Sequence, residues 1–295
     1  MSIFKFISTH LSKSIIMAKA RNLYDLNLKD WNYPLSKFQK LLVGAYMILR
    51  DYGADCFPPK HVNEQTTFDA EKAYKDTLTQ MGMTKEAFDA VAMRKPFWVG
   101  KACTRYLSDF STIQMDFFEH NIKPPASILE VGCGTGWMSE FLCLMGYKVT
   151  ASTIDKTDKF FIDSRIESLE KKIDQSNLTF LEAPMEYLPN YVSIEERFDA
   201  VFIYEALHHA YDWRKAIHGF YHLLKDDGWC FICKEPNLIH TFVSYRVGVL
   251  SNTHEIGMSH KQIINQVKTV GFKKFEVIRD RFHLYSRPIW IAAQK

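Results

Sequence analysis

The sequence predicts an α/β protein: a seven-stranded, mostly parallel sheet in the C-terminal part, preceded by a helical extension. Three observations predict it. After residue 126, short apolar runs alternate with longer amphipathic segments, the pattern of parallel strands joined by crossover helices. Before residue 120, apolar residues recur mostly at helical spacing. Between the two regions stands Lys123-Pro124-Pro125, and proline both removes an amide donor and restrains the residue before it.

Taken in order, the first segment is Met1 to Arg21, which carries Lys5, Lys13, Lys19 and Arg21 with no acid before Asp25. This composition resembles an organelle-targeting stretch or a surface-lying amphipathic helix, with a frayed leader or a start at Met17 as the plainer alternatives. From Trp31 to His120 helices are expected, with Phe38, Leu41, Leu42, Ala45, Tyr46 and Leu49 as one buried stripe. Phe57, Pro58 and Pro59 should end that helix; Thr66 or Thr67 should cap the next, which runs to Met81 and stops at Gly82; Thr84 should cap a third. Cys103 to His120 reads as one more helix. The expected organisation is a leader over 1–24, possibly flexible, a helical cap or lid over 25–122, and a ligand-binding sheet domain over 123–295.

Expected strands are Ser127–Val131, Lys148–Ser152, Leu178–Leu181, Ala200–Ile203, Trp229–Lys234, Lys274–Ile278 and Pro288–Ala293. Helices are expected at Trp137–Met145, Asp158–Ile173 and Trp213–Leu224, the last followed by a Lys225-Asp226-Asp227-Gly228 turn.

Composition narrows the function classes. With 47% hydrophobic residues the chain can bury a large core. The net charge of +3 is spread along the chain without dense Lys/Arg blocks, so no nucleic-acid partner is indicated. No apolar run approaches the roughly 20 residues of a membrane-spanning helix. The six cysteines lie in apparent core segments, as expected of reduced thiols in a cytoplasmic protein. Cys230 and Cys233 fall within one strand, where residues three apart face opposite sides, and no second Cys/His pair accompanies them, so no metal site is expected.

The run Ile128-Leu129-Glu130-Val131-Gly132-Cys133-Gly134-Thr135-Gly136-Trp137 places a strand, a glycine turn and a helix start in succession. That order builds a cofactor crevice at the carboxyl end of a parallel sheet. The three glycines are spaced two apart, whereas a dinucleotide fingerprint puts its third glycine where Trp137 stands. The Glu130 carboxylate suits an ammonium better than a pyrophosphate.

These residues resemble motif I of the class I, Rossmann-like methyltransferases that use S-adenosylmethionine. Phe198-Asp199-Ala200-Val201-Phe202-Ile203-Tyr204-Glu205 resembles the family's fourth-strand motif, and Leu223-Leu224-Lys225-Asp226-Asp227-Gly228 and Gly271-Phe272 follow in family order. The resemblance covers about 165 residues and implies an antiparallel seventh strand, S-adenosyl-L-methionine as cofactor, and a transferase reaction, methylation. By this carry-over Glu130, Gly132, Cys133, Gly134, Gly136 and Tyr204 line the cofactor. The sequence departs from the family at two places. Thr153 stands where the ribose-binding acid is usual, with Asp155 two residues on; Pro184 stands where an adenine-binding aspartate is usual, leaving the Met185 amide and Glu186 as the substitutes.

Methyl transfer to a hydroxyl needs alignment and a base. His208, His209 and Glu205, just past the fourth strand, are the candidates, and histidine titrates near neutral pH. The loop carrying His240, His254 and Glu255 is a further place to look for a base. The fourth strand is followed by no proline pair, which disfavours base-flipping methylases. The acceptor expected is a small metabolite or a saccharide, methylated on oxygen before nitrogen or carbon, with aromatic residues such as Tyr33, Phe97, Trp98 and Tyr106 covering it. No motif specifies an oligomeric state. A non-catalytic binding or scaffold protein on the same fold is the alternative, motivated by Thr153 and Pro184.

Overall fold

The computed structural model describes residues 14–30, 33–54, 63–73, 84–97, 100, 102–172, 177–193, 195–279 and 288–295. Trp31, Cys56, Phe57, Pro58, Pro59, Met81, Gly82, Trp98 and Ile173 lie outside the described residues. The chain divides into two compact units, residues 1–83 with 237–257, and residues 84–236 with 258–295.

The first unit holds α1 (Ile15–Lys29), α2 (Lys37–Gly53), α3 (Glu64–Lys72) and α9 (Leu238–Ser251). Helix α2 begins at a capping box, in which Ser36 accepts from the Gln39 amide and the Gln39 side chain accepts from the Ser36 amide. The face that α2 buries differs from the expected stripe: Phe38 and Leu41 are exposed, and Val43, Met47 and Ile48 are buried with Leu23, Leu35 and Tyr245. Gly44 explains the rotation. A Cβ at Gly44 would sit 3.4 Å from the Phe242 carbonyl of α9, so the small residue lets the two helix backbones approach. Helix α3 is capped by Asn63, whose side chain accepts from the Thr66 amide at 2.8 Å, and not by Thr66 or Thr67, which lie inside its first turn; asparagine is as good a cap as any residue, so the helix starts there.

The second unit holds α4 (Lys85–Arg94), α5 (Ala102–Glu119), β1 (Ser127–Val131), α6 (Trp137–Leu144), β2 (Lys148–Thr153), α7 (Lys159–Glu170), β3 (Leu178–Glu182), β4 (Phe198–Tyr204), α8 (Trp213–Leu223), β5 (Leu224–Glu235), α10 (His260–Val270), β6 (Lys274–Arg279) and β7 (Ile289–Gln294). Thr84 caps α4 as expected, accepting from the Ala87 amide at 3.2 Å. The seven strands lie in the order β3-β2-β1-β4-β5-β7-β6. β7 runs antiparallel to both β5 and β6, and the pairs from β3 through β5 are parallel. The expected 225–228 turn falls within β5 as an irregularity, with five steps from Leu224 to Trp229 opposite two from Phe198 to Ala200 on β4.

Alternation along the strands sends side chains to two core layers. Leu129, Val131, Val201, Ile203 and Cys230 pack with Ala216, Ile217 and Phe220 of α8 and Ile263 and Val267 of α10. Ile128, Ala200, Phe202, Phe231 and Cys233 pack on the other face with Ile113 and Phe117 of α5, Met138 and Leu142 of α6 and Ile162 of α7. Cys230 and Cys233 therefore occupy opposite layers, as period two requires. Among the described residues no helix is long and apolar enough to cross a membrane.

Candidate active site

The carboxyl ends of β1, β2, β4 and β5, and the turn after β3, gather the residues singled out in the sequence. Gly132, Gly134 and Gly136 all have positive φ, at 68°, 51° and 68°, and Gly136 stands at the N-cap of α6. Their surroundings differ. A Cβ on Gly132 would lie 2.5 Å from the Ala206 Cβ, whereas one on Gly134 would meet nothing within 4 Å. Gly132 is thus a glycine of close packing, and Gly134 one of open approach. The Cys133 amide donates to the Ser152 carbonyl at 2.9 Å, so this residue contributes backbone while its side chain is buried.

Charged groups hold the loop from behind. Arg165 of α7 is buried and donates through Nε to the Thr135 carbonyl at 2.6 Å, through Nη1 to Glu140, and through Nη2 to the Ala92 and Lys95 carbonyls, each at 3.4 Å. Glu130 is buried too and accepts from the Ser139 hydroxyl of α6. Burial pushes its carboxyl up to about 7, against the bond from Ser139 that acts to lower it. The Thr135 hydroxyl, inside this loop, is buried with no hydrogen-bond partner among the described residues.

At the tip of β2, the Thr153 hydroxyl donates to Asp158 at 3.2 Å, and Asp155 accepts from the Thr157 amide and hydroxyl, both at 2.8 Å. Asp155 caps a short 3-10 turn, Lys156–Asp158, and is buried along with Thr153 and Asp158. After β3, Met185 opens a second 3-10 turn, Met185–Asn190, and buried Glu186 accepts from the Asp212 amide at 3.2 Å.

At the end of β4 the Tyr204 hydroxyl donates to Asp109 of α5 at 2.7 Å, and Lys234 of β5 donates to the same carboxylate. Burial, then the carboxylates of Glu205 and Asp109, hold the Tyr204 phenol well above its ordinary range. Glu205 lies 3.9 Å from Arg105 and 4.0 Å from Lys234. Glu205 and Lys234 carry φ of 47° and 57°, conformations costly for residues with a Cβ and common where a site is preorganised.

His208 and His209 lie in the 3-10 turn Leu207–His209, their ring centroids 4.2 Å apart. His208 Nδ1 is 2.9 Å from Glu235, the last residue of β5. Glu235 is fully buried and also accepts from the amides of Ala206, Leu207 and His208, at 2.8, 2.9 and 3.2 Å. Burial alone would raise the Glu235 carboxyl, but His208 and these amides bring it below its ordinary value.

Glu235, Arg165, Asp109, Lys234 and Asp158 escaped the sequence reading. For Glu235 a signal existed: a lone acid closing an apolar strand before Pro236, in a strand whose parallel pairing with β4 sets its end beside residues 205–208. Of the loop expected to carry His240, His254 and Glu255, residues 238–251 are instead helix α9, capped by Asn237 and packed with the N-terminal helices, whereas His254 and Glu255 do lie in a loop. The helix is apolar on most sides and so lacks a readable period. Within that unit His240 Nε2 pairs with Glu255 at 3.0 Å.

Residues 129–232 match the methyltransferase-domain family. Together with the glycine loop and the strand order, this match decides the family. Residues 129–232 belong to the class I methyltransferases. The methyltransferase domain is 30% identical over 149 residues to a ubiquinone biosynthesis O-methyltransferase of Azotobacter vinelandii, covering 49% of this chain and 59% of that protein. It is 30% identical over 143 residues to one of Alkalilimnicola ehrlichii, covering 48% and 54%. The chain thus spans little more than half the length of these relatives. Its fold is shared with a 1,6-didemethyltoxoflavin N1-methyltransferase of Burkholderia thailandensis, at TM-score 0.51 and 15% identity over 79% of this chain and 91% of that one. It is shared as well with the magnesium protoporphyrin IX methyltransferase of Synechocystis PCC 6803, at 0.51 and 16% over 75% and 100%.

Proposed function

We propose that the chain transfers a methyl group from S-adenosylmethionine to a hydroxyl of a small metabolite, with a saccharide as the other acceptor class. The observation that carries this reading is the glycine loop, where Gly134 faces open space at positive φ beside a buried Thr135 hydroxyl that has no partner among the described residues. A ligand with polar atoms passing over Gly134 fits both features. The named relatives, which are O-methyltransferases, support oxygen as the acceptor atom.

In this proposal Gly132 to Gly136 lie under the methionine and ribose of the cofactor. Asp155, aided by Thr153, takes the ribose hydroxyls; the Met185 amide and Glu186 take the adenine; Tyr204 closes the crevice. When bound, the cofactor supplies an electrophilic methyl on a sulfonium. His208 receives the acceptor's proton at Nε2, with His209 and Glu205 lining the same turn. The helical segment 25–122, expected to act as a lid, selects the acceptor, and the setting is cytoplasmic.

Isothermal titration of the full chain with S-adenosylmethionine and S-adenosylhomocysteine tests the reading, with NAD as control. Micromolar binding of the first two and none of NAD is expected. Release of S-adenosylhomocysteine in the presence of catechol or a monosaccharide then sorts the acceptor class. Silence from a folded sample would favour a non-catalytic scaffold, the reading that Thr153 and Pro184 suggest.

A further inference from the structure

We propose that Glu235 is a positioning residue for methyl transfer, fixing the tautomer and the direction of His208 so that its Nε2 faces the acceptor as a proton acceptor. This rests on the methyl-transfer reading above. Glu235 ends β5 with no exposed surface, so water does not compete for its oxygens. One oxygen accepts from the Ala206 and Leu207 amides, the other from the His208 amide and, at 2.9 Å, faces His208 Nδ1. An ionised carboxylate only accepts, so the proton of the neutral imidazole resides on Nδ1 and the lone pair on Nε2.

The three amide bonds fix the backbone of the turn, and the fourth fixes the ring. Together they fix the imidazole in the turn that follows β4. In the transfer step His208 Nε2 takes the proton of the acceptor hydroxyl as that oxygen bonds to the methyl carbon. The carbon–sulfur bond breaks with its electron pair on sulfur, neutralising the sulfonium. The imidazolium so formed is paired with the Glu235 carboxylate, and its charge is thereby stabilised without leaving the site.

The design predicts a specific inversion. In E235Q the carboxamide oxygen keeps the Ala206 and Leu207 amide bonds while its NH2, at the cost of the His208 amide bond, faces Nδ1 as a donor, which moves the ring proton to Nε2, the wrong nitrogen for a base. The full chain with 15N-labelled histidine, assigned with H208Q, reports the tautomer directly in long-range 1H–15N spectra at pH 8. Nδ1–H is expected in the wild type and Nε2–H in E235Q; Nε2–H in the wild type overturns the proposal.

Kinetics give the second reading. With catechol as acceptor, E235Q and H208Q each lower kcat about 100-fold, S-adenosylhomocysteine affinity stays unchanged, and the double variant is no worse than H208Q. Wild-type kcat in E235Q, or losses that multiply in the double variant, refute the coupling. A wild-type chain that neither binds S-adenosylhomocysteine nor releases it sinks the methyl-transfer reading instead, and leaves the tautomer to be judged by its spectrum.

Discussion

Alanine at Gly132 and alanine at Gly134 are chemically the same change two residues apart, yet the structure assigns them opposite outcomes. Both backbones are left-handed, with φ of 68° and 51°, so each substitution costs about 1–2 kcal/mol in conformation alone. At Gly132 the added methyl also falls 2.5 Å from the Ala206 Cβ, where carbon atoms need about 3.5–4.0 Å. Neither carbon is the end of a flexible side chain, so backbone has to shift, adding about 1–3 kcal/mol. G132A should therefore lose about 2–5 kcal/mol, a large part of the stability of a typical domain. At Gly134 the methyl enters open space and only the conformational cost applies, but it occupies the path proposed for the cofactor. Urea denaturation and isothermal titration with S-adenosylhomocysteine separate the two effects. G134A should stay folded and lose at least about tenfold in affinity, equivalent to about 1.4 kcal/mol. Adding A206G to G132A should recover about 1–3 kcal/mol, because it removes the carbon that the new methyl strikes. Equal stability of G132A and G134A, or undiminished binding by G134A, would show that the two glycines do not divide the work in this way.

Glu130 has a carboxyl raised by burial to about 7 from 4.5, so protons leave the unfolded chain first as pH rises; this group's stabilisation is complete below 4.5 and is lost through 7, about 3 kcal/mol in all. E130Q should lack that loss, and urea midpoints compared at pH 5 and pH 8 check it; a pH-independent difference between the two proteins refutes it. R165M leaves Glu140 and the Thr135 carbonyl without their buried partner and should cost about 3–5 kcal/mol, with weaker cofactor binding by titration; a variant as stable as the wild type contradicts the anchoring role. Y245F removes the hydroxyl that donates to buried Asp51 and should cost about 1–3 kcal/mol in the unit of α2 and α9, read as a lower melting temperature. D155N keeps the shape of the 3-10 cap but halves its acceptors, and should weaken S-adenosylhomocysteine about tenfold or more; unchanged affinity moves the ribose contact elsewhere.

The sheet was legible because its signals are local. Apolar runs of strand length, glycines at a strand–helix junction and diproline breaks act through neighbouring residues, and all seven strands fall where those signals put them. The helical unit was less legible. Phe38 and Leu41 fit a helical period as well as Val43 and Met47 do, and only the approach of α9 at Gly44 decides which face is buried. Helix α9 itself joins residues some two hundred positions away, as in the Tyr245–Asp51 bond, which no local pattern announces. The candidate site divides in the same way. Its glycines and histidines stand in short motifs, whereas Glu235 and Arg165 reach their partners across 27 and 30 positions.

Two of the residues missed, Glu235 and Arg165, share a physical role with Asp155. A turn at the end of a strand leaves main-chain groups without ladder partners, and when the turn is buried those groups need acceptors or donors from side chains. An apolar side chain can fill such a space but cannot satisfy it. Glu235 answers three amides after β4, Arg165 answers the Thr135, Ala92 and Lys95 carbonyls, and Asp155 answers the Thr157 amide after β2. Two loops of the candidate site, after β1 and after β4, are thus held by a charged group from a different element, Arg165 of α7 and Glu235 of β5. The same arrangement explains why removing such a group costs more than the single contact it makes with a catalytic candidate. Truncating Glu235 to alanine would strand three buried amides as well as the imidazole, so E235A reports on folding, and only the near-isosteric E235Q reports on His208.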